Sequence, residues 1–102
     1  MDFKAFITLY KPEDGGRKTY IADGYRPNIK FENDEYITSA YFNFESWIAP
    51  GETKQVGVNI LSQRHFIKSL YKNRSFKIQE GKRIVGIGVV CEVVNKIFEK
   101  TV

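Results

Sequence analysis

The sequence predicts an all-β domain that closes into an antiparallel barrel. Short segments with apolar residues at every second position recur along the chain, and turn residues separate them. Aromatic residues make up 15% of the chain, and these suit the half-buried surface of a pleated sheet. Closure is favoured over an open sheet because it removes unpaired strand edges.

The N-terminal part of the chain predicts a hairpin. The first strand covers residues 3–10, and its inward face is expected to carry Phe3, Ala5, Ile7 and Leu9. Gly15 and Gly16 follow in a turn, because glycine takes positive φ without a Cβ clash. Residues 17–22 then predict a second strand paired with the first.

The remaining strands are predicted at residues 29–32, 36–44, 54–61, 75–79 and 83–94. Residues 64–74 fit either a short helical turn or a basic loop. The inward face of the last strand is expected to carry Val85, Ile87, Val89, Cys91 and Val93. Gly86 and Gly88 are then expected on its other face, where glycine permits a bend or a close backbone approach.

Length and composition indicate one domain over residues 1–102. No apolar run is long enough to span a membrane, and the N-terminus lacks the pattern of a signal peptide. The single cysteine, Cys91, excludes an internal disulfide and is expected in the core. We therefore expect a cytoplasmic protein that does not bind a membrane.

Charge is distributed unevenly along the chain, although the net charge is only +4. Residues 64–83 carry seven Lys or Arg side chains and one carboxylate, Glu80. Residues 32–52 carry five carboxylates and no Lys or Arg. This asymmetry predicts either a basic face that binds an anion or a charged surface that only keeps the protein soluble.

Four stretches carry a resemblance to a known family: residues 15–17 (GGR), 24–27 (GYRP), 50–52 (PGE) and 76–90 (FKIQEGKRIVGIGVV). In this order they resemble the C-terminal, third β-barrel domain of elongation factor Tu and related translation GTPases, from about Phe3 to about Val94. The resemblance implies a six-stranded antiparallel barrel that is not an enzyme. It also implies that no nucleotide binds this chain, because the family binds GTP on a separate domain.

The resemblance further implies contact with tRNA or another RNA, since the family's barrel helps to hold the T stem of aminoacyl-tRNA. Matching positions and the basic segment 64–74 give the candidate RNA-binding residues Arg17, Lys18, Asn28, Arg64, Lys68, Lys72, Arg74, Glu80, Gly81 and Lys82. Electrostatic capture of the RNA backbone is the expected mechanism. An acidic segment, residues 32–37, stands where the family has a segment with Arg and Thr. This replacement changes that part of the expected RNA-binding surface.

A protein-interaction module that binds no RNA is the alternative, because the family's barrel also meets an exchange factor and its own GTPase domain. Such a module would be a partner or a mimic of a translation factor, or a homodimer. The candidate surface is the aromatic and acidic region 32–47, with Tyr36, Tyr41, Phe42, Phe44 and Trp47. On a barrel strand some of these aromatic residues are equally expected in the core.

The sequence shows no catalytic, cofactor or metal motif. Residues 15–19 (GGRKT) lack the glycine spacing and the following helix of a phosphate-binding loop. His65 is the only histidine and has no cysteine or histidine nearby in sequence with which to bind a metal. Structural roles are predicted for Gly15, Gly16, Arg26, Pro27, Gly86 and Gly88.

Overall fold

The computed structural model describes residues 1–101 and contains six strands. They are β1 (Phe3–Leu9), β2 (Asn28–Phe31), β3 (Ile37–Asn43), β4 (Thr53–Ile60), β5 (Ser75–Glu80) and β6 (Arg83–Val93). Three short 3₁₀ helices cover Pro12–Asp14, Arg64–Phe66 and Lys96–Phe98. The residues described form no longer helix, so the prediction of an all-β fold is confirmed.

All strand pairs are antiparallel, and the sheet closes in the order β1-β4-β3-β2-β5-β6, with β6 pairing back to β1. The six-stranded closed barrel is therefore confirmed. Each strand has a partner on both sides, which satisfies the backbone donors and acceptors that an open edge would expose. In this ring β1 and β4 lie opposite β2 and β5.

The core is built from the inward residues that strand alternation predicts. Phe3, Ala5, Ile7 and Leu9 of β1 are fully buried, and their neighbours in sequence point outward. The inward residues of β2, β4 and β5 follow the same pattern. Phe3, Phe31 and Phe76 pack with ring centroids 5.4 to 6.0 Å apart at tilted or edge-on angles, the favoured geometry for aromatic pairs.

The predicted hairpin between residues 3–10 and 17–22 is wrong. Both sides of β1 are already occupied, by β4 and β6, so no edge remains for residues 17–22. Only Ile21 of this segment makes a β-bridge, with Ile48. Gly15 still turns the chain, with φ of 91°, and Gly16 packs so tightly that a Cβ would lie 2.0 Å from the Tyr10 carbonyl oxygen.

The predicted inward face of β6 is also wrong in its middle. Two β-bulges interrupt the alternation, because Val85 and Cys91 are skipped in the registers with β5 and β1 respectively. Ile87 and Val89 consequently face outward and are 40% and 36% exposed. Cys91 is half-buried at its bulge rather than part of the core.

Gly86 and Gly88 point into the barrel as a result of the first bulge. A Cβ on Gly88 would lie 2.2 Å from the Phe76 ring, so the absent side chain makes room for that ring. A Cβ on Gly86 would lie 2.5 Å from the Thr8 carbonyl oxygen. The two glycines therefore permit close packing inside the barrel, and not a bend on its outer face.

Candidate nucleic-acid interface

The predicted RNA-binding residues separate into two groups, one at each end of β5. Arg17, Glu80, Gly81 and Lys82 surround the β5–β6 turn, which we call the hairpin end. Residues 64–74 precede β5 and contact the C-terminal residues 95–101, and we call these two segments together the tail end. β5 has six residues, so the two ends lie roughly 17 Å apart at about 3.3 Å per residue.

At the hairpin end, Arg17 and Glu80 are bound to each other. The Arg17 guanidinium forms an ion pair with the Glu80 carboxylate, and its remaining donors reach the backbone and side-chain oxygens of Thr19. The Tyr25 hydroxyl also donates to Glu80, and Arg17 lies over the Tyr25 ring. Burial, followed by the hydrogen bond to Glu80 and the charge of this carboxylate, raises the pKa of Tyr25.

Arg83 holds the glycine turn against the hairpin end. Its guanidinium donates to the carbonyl oxygen of Gly15 at 2.9 Å and to that of Gly16. Lys18, Gly81 and Lys82 remain exposed beside this arrangement, and Gly81 takes φ of 61° in the two-residue turn. The ammonium groups are therefore the free charges of the hairpin end, because both arginines bind within the fold, although Arg83 is itself exposed.

The tail end is anchored by apolar residues and exposes its lysines. Phe66 and Leu70 are fully buried, whereas Arg64, Lys68 and Lys72 are exposed. Residues 64–66 form one 3₁₀ turn and the rest is loop, so the basic-loop alternative is the better description.

Arg74 differs from the other predicted RNA-binding residues because it is only 8% exposed. It donates to the carbonyl oxygens of Ser69 at 2.8 Å and Glu32 at 3.0 Å, and its guanidinium lies 5.0 Å from the Phe31 ring centroid. Its assignment to an RNA contact is therefore corrected: Arg74 holds the tail end to the barrel.

The acidic and basic segments, separate in sequence, meet in the structure. The His65 Nε2 atom hydrogen-bonds Asp34 at 2.8 Å, and the His65 ring stacks on Tyr36 with a centroid distance of 4.1 Å. Burial raises the pKa of Asp34, but the Tyr36 N–H and His65 outweigh it and hold this pKa below its usual range. The acidic and basic segments of the sequence are thus in contact in the structure.

Between the two ends lies a polar strip on the outer face of β2 and β5, which we call the β2–β5 face. It consists of Asn28, Lys30, Lys77 and Gln79, with Asn28 opposite Gln79 and Lys30 directly opposite Lys77. Of these four residues, only Asn28 is a candidate from the sequence; Lys30 and Lys77 are not. Strand alternation showed that both lysines point outward, but only the pairing of β2 with β5 shows that they are neighbours.

The aromatic residues 36–47 do not form one exposed surface. Phe42 is fully buried, so it belongs to the core and not to a protein-interaction surface, and Phe44 is half-buried against that core. Tyr41 is half-buried with the Arg26 guanidinium over its ring, next to the buried Pro27. Trp47 is 61% exposed and stacks on Tyr20.

Within residues 1–101, no three His, Cys, Asp or Glu side chains lie close enough to hold a metal ion. Residues 15–19 are followed by a β-bridge at Ile21 instead of the helix that a phosphate-binding loop requires. None of the helices described has the length and apolar composition to cross a membrane.

The fold and its surface define a β-barrel binding module. The family model for the elongation factor Tu C-terminal domain matches residues 1–94, and the chain belongs to this family. This domain is a non-catalytic barrel related to translation factors. Residues 95–102 lie beyond the match, and residues 95–101 form part of the tail end.

Proposed function

We propose that this barrel binds the phosphate backbone of tRNA or another RNA with its β2–β5 face and with the exposed cations at either end. The observation that carries the proposal is the direct pairing of Lys30 with Lys77. Like charges directly opposite on neighbouring strands destabilise a sheet. A bound polyanion offsets this repulsion.

The nearest carboxylate does little to compensate this pair. Lys30 lies 4.0 Å from Glu35, whose side chain is 99% exposed, and such an ion pair contributes little in water. Exposed lysines also lie beyond both ends of the strip: Lys18 and Lys82 at the hairpin end, and Lys68 and Lys72 at the tail end. Cations at the strip and at both of its ends suit a phosphate backbone that runs along β5.

Binding of this kind is weak and depends strongly on salt. A few Lys–phosphate contacts give a dissociation constant of about 10⁻⁴ to 10⁻⁶ M, because most of the free energy comes from counterion release. Contacts between lysine and phosphate carry no sequence information, so we expect little sequence preference. Family membership supports the proposal, since the matched domain belongs to translation factors.

The test is tRNA binding by the double variant Lys30→Gln/Lys77→Gln, measured over a series of salt concentrations. Loss of two phosphate contacts should reduce the slope of log K against log salt by about 1.5 to 2. The matched control is Lys4→Gln/Lys54→Gln, on the opposite strands β1 and β4. Absence of tRNA binding at low salt, or equal losses in the two double variants, would contradict the proposal.

A protein partner is the second candidate, and the outer face of β1 and β6 favours it. Phe6 is 49% exposed and pairs directly with Val89, and Ile87 lies next along β6. Apolar side chains that cluster on an outer face suit protein contact. Pull-down with the Phe6→Ser/Val89→Ser variant tests this candidate: a stoichiometric protein captured by the wild type and lost in the variant supports it, and equal capture opposes it.

A further inference from the structure

A basic hollow lies at the tail end, apart from the β2–β5 face. It has a volume of about 390 Å³ and lies between the turn after β2, the 64–74 segment and the C-terminal residues. Three cationic side chains line it, together with Glu32, Asn33, Ser69 and Tyr71; the cations are Lys68, Arg74 and Lys100. Glu32 is the only carboxylate in this lining, which leaves a net charge of +2.

The hollow depends on the C-terminal segment that lies beyond the family match. The N–H groups of Lys68 and Leu70 donate to the carbonyls of Ile97 and Phe98, and the Lys100 N–H donates back to Leu70. Phe98 is buried, which fixes this segment against the barrel. The segment therefore adds Lys100 to the wall of the hollow, at a position that the family match does not cover.

The positive charge of the hollow is only partly neutralised within the described part of the chain. Arg74 is bound to two carbonyl oxygens, which are neutral, and its buried Nε–H donates to no atom of residues 1–101. Lys68 and Lys100 form no ion pair among the same residues, and the Lys100 ammonium lies 5.4 Å from the Tyr71 ring centroid. Unpaired cations around a concave surface are an anion-binding arrangement.

We propose that this hollow binds a phosphate monoester. A phosphate monoester carries a charge of about −1.5 to −2 at pH 7, which matches the net +2 of the lining, whereas an internal phosphodiester carries only −1. The exposed ammonium groups of Lys68 and Lys100 bind the phosphate oxygens. The positive charge of Arg74, which is fixed by its own hydrogen bonds, adds to the electrostatic attraction. The phosphate comes from an RNA terminus or from free phosphate, and the first source rests on the proposed RNA binding.

The first test identifies the site with inorganic phosphate and NMR. Millimolar phosphate, added at constant pH and ionic strength, should shift the backbone amide signals of Asn33, Lys68 and Ser69. The shifts should disappear in Lys68→Gln/Lys100→Gln, which removes two charges from exposed positions. They should remain in Lys96→Gln, a control in the same C-terminal segment whose side chain does not line the hollow.

The second test compares one oligoribonucleotide with a 5′-phosphate, a 3′-phosphate or no terminal phosphate. At least one phosphorylated form should bind about tenfold more tightly than the unphosphorylated form, and Lys68→Gln/Lys100→Gln should abolish the difference. If inorganic phosphate shifts the amide signals but neither terminal phosphate increases the affinity for the oligoribonucleotide, free phosphate is the source.

Failure of this inference and failure of the proposed function give different results. Absence of amide shifts with phosphate, together with equal binding of the three oligoribonucleotides, overturns the phosphate site even if Lys30 and Lys77 still govern RNA binding. Phosphate shifts that depend on Lys68 and Lys100, in a protein that binds no RNA, retain the site and overturn the RNA function.

Discussion

The two ends of β5 use their cationic side chains differently. At the hairpin end, Arg17 pairs with Glu80, and Arg83 donates to two glycine carbonyls. At the tail end, Arg74 makes the same kind of internal contact, but Lys68 and Lys100 have no carboxylate partner among the described residues. Both ends therefore use arginines to hold the fold and expose lysines, but only at the tail end do an arginine and two lysines line a common hollow.

This difference follows from the chemistry of the two side chains. Arginine has five N–H donors in a fixed plane, so one guanidinium can satisfy several carbonyl or carboxylate oxygens at once. Lysine carries a compact, strongly hydrated charge on a flexible stem, and it remains in water unless an anion arrives. We therefore expect replacement of Arg17, Arg74 or Arg83 to lower stability and replacement of the exposed lysines to lower anion binding.

The largest effect is expected for Arg74→Ala. The variant loses two charge-assisted hydrogen bonds and the packing of the guanidinium on Phe31, so the free energy of unfolding should fall by about 3 kcal/mol. Urea unfolding measures this change. The control is Arg64→Ala, because Arg64 is exposed and its loss should alter stability by less than about 0.5 kcal/mol. Similar losses in the two variants would show that Arg74 does not hold the tail end.

A smaller effect is expected for Glu80→Gln at the hairpin end. The change weakens the contacts of Glu80 with Arg17 and Tyr25, and we expect a loss of about 1 to 2 kcal/mol. The variant should also lower the pKa of Tyr25, since it removes the charge of Glu80. The pKa should stay above its ordinary value, because burial is the largest cause of the upward shift. Ultraviolet titration of tyrosinate measures this pKa, and an unchanged Tyr25 titration would contradict the proposed contact.

The same tyrosine gives the hairpin end a dependence on alkaline pH. The pKa of Tyr25 is raised in the folded protein, so its stabilising contribution is complete below the ordinary tyrosine pKa of about 10 and is lost as pH rises above it. The free energy of unfolding should therefore fall more steeply above about pH 10 in the wild type than in Tyr25→Phe. Equal slopes would show that Tyr25 titrates in the same way in the folded and unfolded states.

Much of the barrel could be predicted from local sequence, and the failures have specific causes. The inward residues of β1 follow from strand alternation because no residue of β1 is skipped in its pairing with β4 or β6. In β6, by contrast, residues are skipped at the bulges. The middle of β6 was assigned to the wrong face because bulges at Val85 and Cys91 depend on the register with neighbouring strands. The predicted hairpin failed because β1 already has two partners that are distant in sequence.

The candidate surfaces were predicted less completely because they depend on pairing between distant segments. Lys30 and Lys77 are 47 positions apart by their residue numbers and become neighbours only through the β2–β5 pairing. Arg74 lies in a basic segment, but no local pattern shows that two backbone carbonyls hold it. Lys100 lies beyond the family match, and the resemblance therefore gave it no role.

The smallest effect is expected at the tail end, where Asp34 meets His65. The hydrogen bonds from the Tyr36 N–H and His65 lower the pKa of Asp34 against the opposing effect of burial. Its stabilising contribution is therefore present above the unfolded pKa of about 3.9 and is lost as pH falls through the lower, folded pKa. Asp34→Asn should lower the free energy of unfolding by less than about 1 kcal/mol at neutral pH and reduce the loss of stability below about pH 4.

Urea unfolding at several acidic pH values measures both effects, with the exposed Glu35→Gln as the control. If the two variants lose stability equally on acidification, Asp34 does not connect the acidic and basic segments. The tail end is then held by Arg74, by the buried side chains of Phe66, Leu70 and Phe98, and by the backbone hydrogen bonds between its two segments.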